Sequence, residues 1–111
     1  MKIDQIFEEG LLKLSIEGDL DASSAIVVDD VIKIASDEDN YNILVDCKAL
    51  NYISSAGLGV FISYLEEFKA KEGRFVFFDM NENVYSVFEL LGLHNIFNIV
   101  PTENEAKNLF Q

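Results

Sequence analysis

Tyr41-Asn42-Ile43-Leu44-Val45-Asp46-Cys47 carries an unbroken apolar run, Ile43-Leu44-Val45. A strand that is apolar on both faces belongs in the middle of a sheet covered by helices. The flanking sequence supplies such helices. From Ala22 to Ala35, the residues Ala25, Val28, Ile32 and Ala35 line one side of a helix while Asp29, Lys33 and Asp37 lie on the other. Asp21, Ser23 and Ser24 are all able to cap its start. On the other flank, Leu58, Phe61, Ile62, Leu65 and Phe68 recur at helical spacing, and Gly73 is expected to end that unit.

Further out the same alternation continues. Leu12, Leu14 and Ile16 alternate with Lys13, Ser15 and Glu17, the period-two pattern of a half-buried strand, and Gly10 turns an earlier short strand around Ile3 to Phe7 into it. Phe75 to Phe78 is another buried strand. Val84, Val87, Phe88 and Leu91 mark a third helix, capped by Asn81 or Asn83 and stopped at Gly92-Leu93. Ile96 to Val100 reads as a last strand. Thr102 with Glu105 forms a capping box for a final helix carrying Ala106, Leu109 and Phe110. The order β-β-α-β-α-β-α-β-α predicts an α/β domain with a mixed, mostly parallel sheet of four to five strands. Function is then expected on the loops beyond the carboxyl ends of the strands.

Eight basic residues against twenty acidic ones leave a formal charge of −12 over 111 residues. Such a chain is repelled by phosphate, which argues against direct nucleic-acid binding and against polybasic docking on a membrane. Apolar residues at 50% and charged ones at 25% are near the globular average, so the acidity does not mean disorder. The length suits one domain, residues 1–111, around a single core. The first ten residues, MKIDQIFEEG, do not form a signal peptide, and no apolar run approaches the ~18 residues of a membrane helix. A cytoplasmic location is expected. Cys47 is the only cysteine, so neither an internal disulfide nor a multi-cysteine metal site is expected.

The segment Asn51-Tyr52-Ile53-Ser54-Ser55-Ala56-Gly57-Leu58-Gly59-Val60 is the least ordinary part of the chain. Two serines stand where a loop leaving the central strand becomes a helix, and two glycines follow inside its first turns. Glycine costs a helix ~1 kcal/mol relative to alanine, so Gly57 and Gly59 need a reason. In the plainer reading one serine is an N-cap and the glycines allow tight packing on the sheet. In the functional reading the missing side chains let a partner approach the helix start. A phosphate on a serine there would lie against free N–H groups and the positive end of the helix.

Tyr52 to Val60 resembles the signature of the STAS domain, specifically of single-domain bacterial anti-sigma factor antagonists. That signature runs acidic residue or serine, phosphoacceptor serine, small residue, then Gly-Leu. Aligned on Gly57-Leu58, the acceptor is Ser55 and the residue before it is Ser54. Gly18-Asp19-Leu20-Asp21 is similar to the Gly-Glu-Leu-Asp that precedes the first helix in the family. Element order and length extend the resemblance over essentially the whole chain. Many members have Asp where this chain has Ser54, which leaves two adjacent hydroxyls and makes Ser54 the alternative acceptor.

The resemblance implies a switch. Unphosphorylated protein binds an anti-sigma factor, often itself a serine protein kinase, and so frees a sigma factor for transcription. Phosphorylation of Ser55 weakens that binding, and a separate serine phosphatase restores it. ATP and Mg²⁺ belong to the kinase, so the chain needs no cofactor or metal and is not an enzyme. Asp19, Asp21, Ser54, Ser55, Gly57 and Leu58 line the implied partner-binding face, with Leu58 either in the core or part-exposed as an apolar anchor.

Other readings are weaker. A STAS-type module that docks on a different signalling or transport partner, without phosphorylation, fits the same residues. A response-regulator receiver would use Asp46 as its acceptor, but Val100-Pro101 stands where a receiver offers Lys before Pro. His94 follows Gly92-Leu93 with no cue joining it to Cys47 or Ser55, and reads as a solvated or satisfied side chain. Cys47 reads as a small buried hydrophobe in its strand. Glu66-Glu67 and Glu103 to Glu105 read as solvated faces.

Overall fold

The computed structural model describes all 111 residues. In chain order the elements are β1 (Lys2–Glu8), β2 (Leu11–Leu20), α1 (Ala22–Asp37), β3 (Asn42–Asp46), β4 (Leu50–Ile53), α2 (Ser55–Ala70), β5 (Arg74–Phe78), α3 (Glu82–Leu90), β6 (Asn98–Val100) and α4 (Glu103–Asn108). A single 3-10 turn, Leu93–Asn95, links α3 to β6. Five strands lie in the order β1-β2-β3-β5-β6, and β4 pairs with the far end of β2. Only β1 and β2 are antiparallel. Their two-residue connection, Glu9-Gly10, has φ of 53° and 79°, the left-handed pair that a tight hairpin turn requires.

The apolar run of β3 does what two-sided burial demands. Ile43 and Val45 enter the main core with Leu12, Leu14 and Ile16 of β2 and Phe75 and Phe77 of β5. Leu44 points the other way and joins Val76, Phe78 and Ala106 under α4. Helices α1, α2 and α3 therefore cover one face and α4 the other. Helix α2 is held by aromatic contacts: Phe68 stacks on Phe75 with centroids 4.4 Å apart, and Phe61 meets Phe77 edge-on at 5.0 Å. Such pairs add about 1 kcal/mol each beyond the area they bury. They fix the body of α2, and with it the position of the helix start.

Strand β4 is the element that the sequence pattern did not reveal, and it makes six strands where four to five were expected. Its residues Leu50 and Ile53 are buried while Asn51 and Tyr52 are exposed, so it lacks the period-two alternation of a strand. Strand β2 is long enough to serve two neighbours in succession. Residues Leu12–Ser15 pair with β3, and Gly18–Leu20 pair with β4 across a register shift between Gly18 and Asp19. Gly18, at φ 96°, supplies the irregularity.

Gly73 does not end α2 by adopting a left-handed conformation. Glu72 does so, at φ 58°. Gly73 is required instead for close approach, because a Cβ there would sit 2.1 Å from the carbonyl oxygen of Tyr41. The last strand is shorter than expected, since Ile96 and Phe97 precede it and Phe97 turns into the core. Leu109 and Phe110 fall just beyond α4. Cys47 lies one residue past β3, not within it, and is fully buried.

Candidate functional site

Two helix starts meet at the end of β2. Strand β2 delivers Asp21 to the N-cap of α1, where its carboxylate accepts from the Ser24 backbone N–H at 3.0 Å and from the Ser23 hydroxyl at 2.9 Å. The Ser24 hydroxyl accepts in return from the Asp21 backbone N–H at 2.8 Å, which closes a capping box. Strand β4 delivers Ser54 to the N-cap of α2, where its hydroxyl accepts from the Gly57 N–H at 3.2 Å. The two starts are joined by main chain: Asp19 and Leu20 register against Tyr52 and Ile53, and the Ser54 N–H donates to the Leu20 carbonyl at 2.8 Å.

The adjacent serines are thereby separated in role. Ser54 is half-buried, and its hydroxyl is committed to the cap. Ser55 is the first residue of α2 and exposed, with its hydroxyl open to solvent. An N1 residue of a helix sits among backbone N–H groups that lack intrahelical acceptors, where added negative charge is favoured. The site loop leaves β4 rather than the central strand β3, which places it beside the Asp19-Asp21 segment.

The two glycines divide in the same way. A Cβ on Gly57 would lie 2.8 Å from Cγ of Leu20 and 3.1 Å from Cγ1 of Ile53, so Gly57 is there to let α2 close on the sheet. A Cβ on Gly59 would meet nothing within 4 Å. Gly59 is exposed, one turn after Ser55 on the same face of α2. Helical side chains lean toward the N-terminus, so a long side chain at 59 would reach back over Ser55. The sequence alone does not separate the two glycines, since packing against Leu20 is a tertiary fact.

Leu58 is 3% exposed and belongs to the core, so its side chain is not an exposed anchor. Asp19 is exposed, and its carbonyl accepts from the Ser24 hydroxyl at 3.1 Å. Hydrogen bonds, chiefly from the Ser24 backbone and then from the Ser23 and Ser24 hydroxyls, hold the Asp21 carboxyl down at about 2. Tyr52, which was not singled out from the sequence, is 52% exposed in β4 next to this pair of loops.

The remaining reactive side chains lie elsewhere. Burial, reinforced by the Asp46 and Asp79 charges, pushes the Cys47 thiol up, so it stays protonated. Asp46 accepts from the Ser15 hydroxyl at 3.3 Å and from the Lys48 N–H at 3.0 Å, the contacts of a strand-end turn. His94 is half-buried near Tyr85, and its Nδ1 is enclosed without a hydrogen-bond partner, so it is neither solvated nor satisfied at that atom. No three His, Cys, Asp or Glu side chains gather as metal ligands. Glu103 is no simple solvated residue: it pairs with Lys13 and Lys107, each at 3.2 Å. Partial burial acts to raise its carboxyl, and hydrogen bonds from the two lysines outweigh that and lower it. Glu67, likewise, accepts from the Ser36 hydroxyl.

The STAS domain family model matches residues 2–106, and the chain belongs to that family. It is similar to the anti-sigma-B factor antagonist of Listeria monocytogenes, with 24% identity over 94 residues that cover 85% of this chain and 82% of that protein. The crystal structure of an anti-sigma factor antagonist from Mycobacterium paratuberculosis superposes with a TM-score of 0.87 at 19% identity, covering 97% of this chain and 92% of that one. The Bacillus cell fate determinant SpoIIAA in its phosphorylated form gives 0.77 at 20% identity, covering 99% of this chain and 100% of that one. No helix of the chain is long and apolar enough to cross a membrane.

Proposed function

We propose that this chain is an anti-sigma factor antagonist, a protein-binding module whose contact surface is switched off by phosphorylation of Ser55. The observation that carries this reading is the division of labour between the two serines: Ser54 caps α2 while Ser55 stands exposed at its first position. A phosphate on Ser55 leaves the cap in place, and the N–H groups at the helix start favour its charge. It adds up to about two negative charges at one point of a fitted surface, which replaces a small neutral contact by a group that must be desolvated to rebind. The names of the relatives support the role, and SpoIIAA, which shares the fold, exists in a phosphorylated form.

In this reading the unphosphorylated chain binds an anti-sigma factor through Asp19, Asp21, Ser54 and Ser55, with Gly57 setting how closely α2 sits on the sheet. The missing side chain at Gly59 leaves the approach to the Ser55 hydroxyl open. The partner acts as a serine kinase that holds ATP and Mg²⁺, a serine phosphatase reverses the modification, and the chain itself works in the cytoplasm without catalysing a reaction. Incubation with the candidate kinase and ATP, followed by mass spectrometry, tests the assignment. Phosphate is expected on Ser55 and absent from Ser55→Ala. Label that survives in Ser55→Ala but disappears in Ser54→Ala overturns it.

A further inference from the structure

Strand β1 forms one edge of the sheet, and its only strand partner is β2. Six of its seven residues are exposed. Soluble proteins usually blunt such an edge with a proline, a bulge, a very short strand or charged side chains, and of these β1 has only the charges of Lys2, Asp4 and Glu8. Here the register with β2 runs unbroken from Lys2 to Glu8, with no proline. Two of its large apolar side chains, Ile6 at 48% and Phe7 at 56%, remain open to solvent.

We propose that this edge is the interface of a two-fold symmetric dimer, in which β1 pairs antiparallel with β1 of a second copy about an axis through Gln5. Set against its own reverse, the sequence Lys-Ile-Asp-Gln-Ile-Phe-Glu matches opposite charges at its ends and apolar residues one step in, with Asp4 opposite Ile6 between them. Pairing about Gln5 sets Lys2 opposite Glu8 and Ile3 opposite Phe7, each twice by symmetry. The faces also agree. Ile3, Gln5 and Phe7 lie on the side of β2 that carries Ile16, Leu14 and Leu12, and Lys2, Asp4, Ile6 and Glu8 lie on the other. Within its own chain Lys2 stands opposite Glu17 of β2 and 4.0 Å from Asp4, and about two-thirds of its side chain stays exposed, open to a further carboxylate.

The charges fix the register. A shift by two residues in one direction places Asp4 opposite Glu8, and in the other it places Asp4 opposite its own copy. Either shift sets like charges face to face and breaks the Lys2–Glu8 pairs. One strand pair buries less than the roughly 1,200 Å² of a stable standard interface, so the dimer is weak and depends on concentration. It carries the Gly18–Asp21 segments of the two copies toward opposite ends of one continuous sheet.

Sedimentation equilibrium of the full chain at about 0.15 M salt, where distant charges are screened, tests this directly. A concentration-dependent dimer is expected. Lys2→Glu and Glu8→Lys should each weaken it by about tenfold, because two attractive pairs become repulsive, and the double variant should recover it. Under mild oxidation Gln5→Cys should form a disulfide-linked dimer, since the axis brings residue 5 against its copy. Lys2→Cys should not, as the same geometry separates the two Lys2 positions by about 20 Å. Cys47 is buried and does not interfere. A chain that stays monomeric up to about 1 mM, a double variant as weak as the singles, or Lys2→Cys cross-linking as readily as Gln5→Cys would overturn the proposal.

Discussion

The backbone N–H of Ser54 donates to the carbonyl of Leu20 at 2.8 Å, so the start of α2 is pinned to the strand end that launches α1. Both helix starts therefore share one piece of main-chain scaffolding. The side chains around them are left to differ in function, and substitutions separate those functions.

Ser54→Ala removes the acceptor for the Gly57 N–H and should cost about 1 kcal/mol, seen as a fall of roughly 4 °C in Tm. Ser55→Ala removes an exposed hydroxyl and should leave Tm nearly unchanged while abolishing phosphate incorporation. Thermal unfolding of the two variants, measured beside the labelling experiment, checks both halves.

The glycines should respond with opposite signs. Gly57→Ala forces a methyl to 2.8 Å from Leu20 Cγ, which is fully buried and cannot swing away, so overpacking of about 1–3 kcal/mol exceeds the helix-propensity gain. Gly59→Ala meets open space and should stabilise by up to ~1 kcal/mol. Gly59→Leu should keep the fold and block phosphorylation of Ser55 by covering it. Urea unfolding and kinase labelling of the three variants give the comparison.

Asp21 gives the fold a specific acid sensitivity. Its carboxyl is held at about 2 against an ordinary 3.8, so the folded state binds the proton less readily than the unfolded chain. The stabilisation is complete above 3.8 and is lost as pH falls through about 2. Asp21→Asn keeps a capping side chain but does not titrate. Its stability should decline less steeply than that of the wild type between about pH 4 and 2, as followed by circular dichroism in urea at each pH.

Gly73→Ala places a methyl 2.1 Å from the Tyr41 carbonyl oxygen, a contact with backbone that no rotamer relieves. The β3 and β5 starts must move apart, at a cost of about 3 kcal/mol. A urea titration should show a lower midpoint with unchanged slope. A wild-type midpoint would mean that the two strand starts separate freely.

The sequence made most of the scaffold legible because its signals are local. Ile43-Leu44-Val45 announces two-sided burial, and the caps at Asp21, Asn81 and Thr102 sit next to periodic apolar stripes. Strand β4 was not legible, since Leu50-Asn51-Tyr52-Ile53 has no alternation and is a strand only because β2 continues beside it. The role of Gly73 was hidden for the same reason: what it avoids, Tyr41, is distant in the chain. At the site, residue types and spacing led to Ser54 and Ser55, but their division into cap and exposed hydroxyl depends on where α2 begins by a single residue. That boundary was beyond what periodicity resolves.

The pairing of β4 with the end of β2 has a consequence for how such modules diversify. Because the two helix starts are aligned by peptide groups, any residue type but proline can supply the ladder's donors. Asp19, Tyr52 and Gly59, all exposed, can then be exchanged while the frame that presents Ser55 stays the same, and under the proposed function such exchanges would redirect partner choice. Under the proposed function, a cell carrying several such domains would keep their circuits insulated by rewriting those exposed positions alone.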